Sequence, residues 1–203
     1  MIILGLTGSI AMGKSTVAAM FAAEGVPVFD SDAAVHACYG GPEALVVEAA
    51  FPGVVRDGAV DRDRLARRVV GDPAALARLE AIVHPMVEAA RGDFIRRAGA
   101  QERRIVVVDV PLLFEAGADR SVDVVVVVSA SEPVQKARAL ARPGMTSQRL
   151  EAIMARQMSD RDKRRRAHMI VDNNGARDMT RAQVRGILRC VAAMPGHKIA
   201  ADA

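Results

Sequence analysis

Aromatic residues are almost missing from this chain: no Trp, one Tyr and five Phe make up 3% of its 203 residues. Proteins that stack exposed bases interleave aromatics with their basic residues, so this composition argues against a nucleic-acid partner. Cysteine is as scarce. Cys38 and Cys190 lie far apart and match no metal-ligand or redox spacing, which excludes a disulfide framework and predicts two reduced thiols. Lysine is rare as well. Lys14, Lys136, Lys163 and Lys198 are four among 28 basic residues, so the excess over 24 acidic ones, a formal charge of +4, is carried by arginine. Arginine forks bind phosphate oxygens bidentately, which suits a polyanionic ligand. No apolar run approaches the roughly 20 residues that a spanning helix requires, so no membrane association is expected. The stretch Met1 to Thr7 is short, apolar and followed at once by a Gly-rich turn, unlike a secretory leader. A cytoplasmic location is expected.

What the chain does have is apolar mass, 51% hydrophobic residues, arranged in short β-branched runs separated by helical patterns. Ile2 to Thr7, Val26 to Asp30, Ile105 to Val110, Val122 to Ser129 and Met169 to Asp172 read as strands apolar on both faces, the mark of a covered parallel sheet. Helices are expected at Lys14 to Ala23 (closed by Gly25), Asp61 to Val70, Pro73 to Ala98, Glu132 to Leu140, Ser147 to Arg156 and Arg177 to Ala193. This alternation predicts an α/β domain, a parallel five-stranded sheet with helices on both faces. Two stretches exceed a plain crossover. The segment of about 32–100 reads as an almost entirely helical insertion for substrate binding. That of about 131–166 carries ten Arg and Lys residues and reads as a lid. The core would then comprise about 1–31, 101–130 and 167–195, and the tail Pro195 to Ala203 is expected to fray.

The strongest local signal is Gly8-Ser9-Ile10-Ala11-Met12-Gly13-Lys14-Ser15, a complete G-x-x-x-x-G-K-[ST] between a strand and a helix. Such a loop turns successive backbone N–H groups inward on phosphate oxygens, and the helix N-terminus adds its positive end. It predicts a P-loop NTPase fold. Gly8, Ala11, Met12, Gly13, Lys14, Ser15 and Thr16 would hold ATP, with Lys14 on the β- and γ-phosphates, Thr16 near the α-phosphate and the Ser15 hydroxyl on Mg²⁺. Asp109 ends an apolar strand, where a carboxylate either contacts Mg²⁺ through water or caps the next turn.

The second strand ends in Asp30-Ser31-Asp32. Transfer of a phosphoryl group to a hydroxyl benefits from a carboxylate that orients the acceptor and takes its proton. Asp32 is the candidate base, with Asp30 supporting metal or water; either acid could instead cap the following helix. Arg138 and Arg142, four apart, are expected on one helix face, converging on the same phosphates. The later run Arg161 to Arg166 reads as a solvated face.

In order, LGLTGSIAMGKSTV, VPVFDSDAAVH, VHP at Val83 to Pro85, VVDVPLLFEAG, and Gln157 with the late IVDNNG together resemble the dephospho-CoA kinase family, from about Ile2 to Val191. The resemblance implies a nucleoside-monophosphate-kinase-like core with a helical CoA domain and a lid. The implied reaction is transfer of phosphate from ATP to the ribose 3′-hydroxyl of dephospho-CoA, the last step of coenzyme A synthesis. It further implies that Thr7 is an active-site hydroxyl, that Asp32 is the base, and that Arg138 and then Arg142 contact phosphate. Leu112, Leu113 and Phe114 would line the acceptor pocket, with His84 and Pro85 shaping its wall. From the residues alone, His84 reads as a packed or capping histidine. The sequence departs from the family pattern at His36 (usually Arg), Pro143 (commonly Asp) and Ser9 (usually Gly). Two alternatives stand beside this: another small-metabolite or nucleotide kinase of the same fold, and a non-catalytic nucleotide switch. A monomer or weak homo-oligomer is expected.

Overall fold

The computed structural model describes residues 1–195; of the tail expected to fray, 196–203 lie outside the described residues. The chain divides into two compact units, one of Met1–Phe29 with Ala98 onward and one of Asp30–Arg97.

The first unit is built on a five-stranded sheet in the order β2-β5-β1-β6-β7, with β1 at Ile2–Thr7, β2 at Val28–Asp30, β5 at Ile105–Asp109, β6 at Val124–Ser129 and β7 at Met169–Asp172. The β1–β5, β1–β6 and β6–β7 pairs are parallel, with Leu4 opposite both Val107 and Val124. Side chains alternate across a strand, and β6 shows the result. Val124, Val126 and Val128 pack with Val17 and Phe21 of α1 (Lys14–Ala23) and with Val184, Ile187 and Val191 of α9 (Arg177–Ala192). Val125 and Val127 face the other way, onto Leu113 and Phe114. Both faces are covered, which is why these runs are apolar throughout. Three further helices belong to this unit: α6 (Glu132–Leu140), α7 (Ser147–Met154) and α8 (Asp160–Arg166).

The second unit has its own core. In it α2 (Ser31–Cys38), α3 (Glu43–Ala50), α4 (Arg62–Val69) and most of α5 (Pro73–Ala100) surround Val47, Phe51, Val54, Val60, Leu65 and Leu79. Asp61 caps α4 by accepting from the N–H groups of Asp63 and Arg64.

The expected five-stranded sheet is present, with shorter edges. Val26, Val110 and Val122 fall outside the strands, α7 stops at Met154 and α5 runs on to Ala100. Two expectations are corrected. The 32–100 segment is not helical throughout: β3 (Val55–Arg56) and β4 (Ala59–Val60) form an antiparallel hairpin, Val55 opposite Val60. Its turn is Asp57-Gly58, both at positive φ (51° and 79°), the two-residue arrangement that Asp-Gly favours because it matches strand twist. The run 161–166 is helix α8, and one of its residues, Lys163, is wholly buried rather than solvated.

Phe21 is fully buried between α1 and the sheet. Phe21→Ala is therefore expected to lower the free energy of unfolding by about 3–5 kcal/mol, measured by urea denaturation; a loss below about 1 kcal/mol would contradict this core assignment.

Candidate functional site

The turn from β1 into α1 is shaped by two glycines that admit no side chain. A Cβ on Gly8 would fall 2.7 Å from the Val128 carbonyl oxygen. One on Gly13 would fall 2.0 Å from Asn173 Nδ2, and Gly13 also has φ of +93°, a left-handed conformation costly for any other residue. Ala11 has φ of 61° without being glycine, a strained position of the kind stored at binding loops. The helix that follows begins with no side-chain cap and no acidic residue in its first turn. Its leading N–H groups and positive dipole end are left for an anion.

Several side chains hold this loop from behind. Gln135, buried on α6, donates to the Ile10 carbonyl (2.8 Å), while the Ile10 N–H donates to Gln157 Oε1 (3.0 Å). Asn173 Nδ2 donates to the Met12 carbonyl (2.9 Å), and Thr180 Oγ1 donates to Asn173 Oδ1 (3.1 Å). Arg138 joins the same arrangement. Its Nη2 donates to the Asn173 carbonyl at 2.9 Å. Its Nη1 is buried with no hydrogen-bond partner, about where a Gly13 Cβ would lie 3.8 Å away. A buried guanidinium nitrogen without an acceptor is costly unless a ligand supplies one, and a phosphate oxygen on the Gly13 side of the loop would do so. Ser9 Oγ is likewise buried without a partner.

Lys14 extends from the start of α1 to Asp109 at the end of β5, with Nζ 2.7 Å from Oδ1, and Asp109 is only 3% exposed. The carboxylate predicted for a metal thus faces the lysine predicted for phosphate. Ser15 is exposed at the helix start. Among the described residues no three His, Cys, Asp or Glu side chains cluster as a metal cage. The hard oxygens of Ser15 and Asp109 fit magnesium, which takes few protein ligands and otherwise keeps water and substrate phosphates.

Other predicted residues occupy different surroundings. Thr7 is fully buried, its hydroxyl donating to the Pro111 carbonyl at 3.0 Å. Leu112 is 45% exposed, whereas Leu113 and Phe114 are buried in the core beneath β6. These two pack against Val125 and Val127, because the turn after β5 folds back over the sheet. Arg138 and Arg142 do not share a helix face. α6 ends at Leu140, with Ala141 as its C-cap, and Pro143 disfavours helix at the residue before it. Arg142 lies exposed beyond that end. His84 is exposed on α5, next to the in-helix Pro85.

In the helical unit, Asp30 is the N-cap of α2, its carboxylate accepting from the Ala33 N–H at 3.0 Å. Asp32 is left on the first turn. It borders a cavity of about 480 Å³ with His36, Tyr39 and Arg62, floored by Val35, Leu65, Val69 and Leu79. His36 Nδ1 donates to the Asp32 carbonyl at 2.7 Å, so in the neutral ring Nε2 is an acceptor. Burial pushes the Tyr39 phenol up, with Arg62 acting in the opposite sense. The cavity joins an apolar floor to a carboxylate, a cation, a phenol and an imidazole, the mixture of a small-molecule site.

The family profile described as dephospho-CoA kinase matches residues 2–178. The chain belongs to the dephospho-CoA kinase family. It is similar to the dephospho-CoA kinase of Nitrobacter winogradskyi, 52% identical over 195 residues, 96% of this chain and 98% of that one. It is also similar to that of Mesorhizobium japonicum, 55% identical over 188 residues, 93% and 95% of the two chains. Among solved structures, a Thermus thermophilus protein matches with TM-score 0.79 at 36% identity, covering 93% of this chain and 96% of that one. The dephospho-CoA kinase of Campylobacter jejuni matches with TM-score 0.67 at 20% identity over the same shares, a likeness of fold.

For a member of this family, sequence reasoning passed over Gln135, Tyr39 and Arg62, read Lys163 as solvated, and gave Glu115 no role within its motif. Asn173 and Gln157 carried the resemblance, but their contacts to the loop could not be read from it. The one available signal was a glutamine at a position of α6 that the helical pattern turns inward, since a buried amide needs a partner.

The loop geometry makes Gly13→Ala a test. The added methyl must displace Asn173 and hold φ at +93°, so affinity for MgATP is expected to fall by about tenfold or more, read by calorimetric titration. Unchanged affinity would show that the loop tolerates a Cβ there.

Proposed function

We propose that this chain phosphorylates the ribose 3′-hydroxyl of dephospho-CoA with ATP, giving coenzyme A, and that it does so in the cytoplasm. The observation that carries the phosphate half is the unpartnered Arg138 Nη1 beside an uncapped, glycine-shaped helix start. Family membership supports the acceptor. No helix among the described residues is long and apolar enough to cross a membrane.

In this reading the backbone of Gly8 to Thr16 binds the triphosphate, and Lys14 shifts from Asp109 toward the terminal phosphate as the nucleotide enters. Arg138 Nη1 takes a phosphate oxygen and stabilises charge as the phosphoryl group moves; Arg142, exposed at the α6–α7 turn, closes over it. Magnesium, held by Ser15 and by Asp109 directly or through water, would neutralise phosphate charge. Asp32 accepts the proton of the acceptor hydroxyl. Asp30 is occupied as a cap, which leaves Asp32 as the free acid of the pair. Arg62 and Tyr39 offer donors to the acceptor's pyrophosphate, and the apolar floor suits its pantetheine arm. Thr7 stays a buried support to the loop start, and the exposed Leu112 and His84 offer acceptor contacts. The 30–97 unit serves as the CoA-binding subdomain and the 131–166 segment as the lid.

A neutral hydroxyl acceptor suits Asp30-Ser31-Asp32 better than a nucleoside monophosphate would, since two anions repel. A coupled ADP-release assay separates the readings: turnover with dephospho-CoA is expected, whereas turnover only with a nucleoside monophosphate, or none, overturns it. Asp32→Asn is expected to lower kcat by about 100-fold or more with MgATP affinity nearly intact; a near-normal kcat would remove Asp32 from the base role. Lys14→Ala is expected to abolish measurable turnover, and retained turnover would sink the assignment of the phosphate site.

A further inference from the structure

Lys163 is the one fully buried ammonium among the described residues, 0% exposed in the middle of α8. A buried charge is expensive to desolvate and persists only where its partners are good. Its Nζ lies 3.0 Å from Glu115 Oε1 and 3.4 Å from the Pro111 carbonyl oxygen. Both partners belong to the turn that follows β5. Glu115 also accepts from the Met158 N–H at 2.8 Å. Burial would raise its carboxyl, but the bonds from Lys163 and Met158 outweigh this and hold it below its ordinary value.

The Pro111 carbonyl is the instructive atom. It accepts from the Thr7 hydroxyl at 3.0 Å, and Thr7 is the last residue before Gly8. One residue earlier, the Val110 N–H donates to the Leu6 carbonyl at 2.9 Å. Residues 109–111 are thus fastened to the end of β1, and Asp109 from the same stretch meets Lys14 on the far side of the loop. The turn is pinned to α8 a second time, where Arg166 donates to Asp119 at 2.8 Å and lies 4.5 Å over the Phe114 ring. An apolar residue could fill the volume of Lys163. It could not approach a carbonyl oxygen that already holds the loop's entrance.

We propose that Lys163 is a positioning residue for phosphoryl transfer: by holding the Pro111 carbonyl against the Thr7 hydroxyl, it fixes the spacing between the phosphate loop and the Asp109 carboxylate. Glu115 gives the buried ammonium a second acceptor beside this contact. The proposal rests on the kinase function above, because the reacting phosphate must sit on this loop.

Lys163→Met strands the Glu115 charge and should lower the thermal midpoint, so it is paired with Lys163→Met/Glu115→Leu, where apolar replacement of both partners restores packing. Steady-state kinetics, thermal melts and amide hydrogen exchange are measured on each. For the double variant the midpoint is expected to return to within a few degrees of the parent. Its kcat should remain down by about tenfold or more with both KM values within about threefold, as a loop displaced from productive geometry requires. Its Val110 amide should exchange about tenfold faster. Recovery of kcat together with the midpoint would overturn the proposal and leave Lys163 structural. Glu115→Gln keeps the ammonium beside Pro111, and its kcat should stay within about threefold of the parent. A loss as deep as that of Lys163→Met would shift the role to the ion pair and also overturn it, whether or not the double variant folds. Failure of the kinase function looks different: the parent itself would release no ADP. Val110 exchange still tests Lys163 in that case, and an unchanged rate refutes its role.

Discussion

A loop that bends through strained backbone between a strand and a helix has to be held in shape from outside. This constraint organises the first unit. Between Gly8 and Lys14 the backbone bends back through left-handed conformations at Ala11 and Gly13, which cost free energy in isolation. The restraint comes from outside the loop: Gln135 and Gln157 on the two sides of the Ile10 peptide, and Asn173 on the Met12 carbonyl. They engage the Ile10 N–H and the carbonyls of Ile10 and Met12. The glycines follow from the same requirement. Asn173 can reach Met12 only by passing where a Gly13 side chain would be, and Gly8 is pressed against the Val128 carbonyl of β6.

The braces also tie the basic 131–166 segment to the loop. Gln135 comes from α6, Gln157 from just beyond α7, and the small apolar cluster of Ala11, Ala139 and Leu150 joins them. Arg138 follows Gln135 by three residues, on the same face of α6. One helical face therefore supplies both a backbone clamp and the guanidinium proposed to take phosphate. Movement of α6 would change both together, whereas Arg142, beyond the helix end, is free of this constraint.

What could be read from the sequence divides along the same line between local and distant causes. The strands were legible because β-branched residues on consecutive positions, as in Val124 to Val128, satisfy a sheet covered on two faces and little else. The phosphate loop was legible because its residue types are set by its own backbone geometry. The β3–β4 hairpin carried a local signal too, in Asp57-Gly58, but strands of two residues gave no alternation to go with it. α8 was hidden for another reason. Asp160 to Arg166 contains no aliphatic residue, so no periodicity marks a buried face, and only the carbonyl and carboxylate it meets across the fold make Lys163 a core residue. Leu113 and Phe114 show the reverse case, in which a motif gives no sign of burial. Their motif suggested a pocket; the turn after β5 folds them under the sheet, and Leu112 alone keeps an exposed side chain.

The distribution of lysine gives this arrangement a chemical logic. In a chain whose cations are overwhelmingly arginine, two of the four lysines lie within the first unit's interior, Lys14 at 14% and Lys163 at 0% side-chain exposure. Each meets a carboxylate of the same short segment, Asp109 and Glu115 respectively. A guanidinium is a broad fork suited to an open phosphate, whereas an ammonium is a compact charge with three donors that fits beside a single carbonyl or carboxylate oxygen. The segment from Asp109 to Glu115 is thus bracketed by two point charges, one at the ligand end of β5 and one beneath its turn. In the proposed reaction an incoming phosphate would draw off the charge of Lys14, which keeps some contact with solvent. The one beneath is wholly buried against Glu115 and Pro111. In that proposed reaction a support and a moving part are thus built from the same side chain, distinguished by burial.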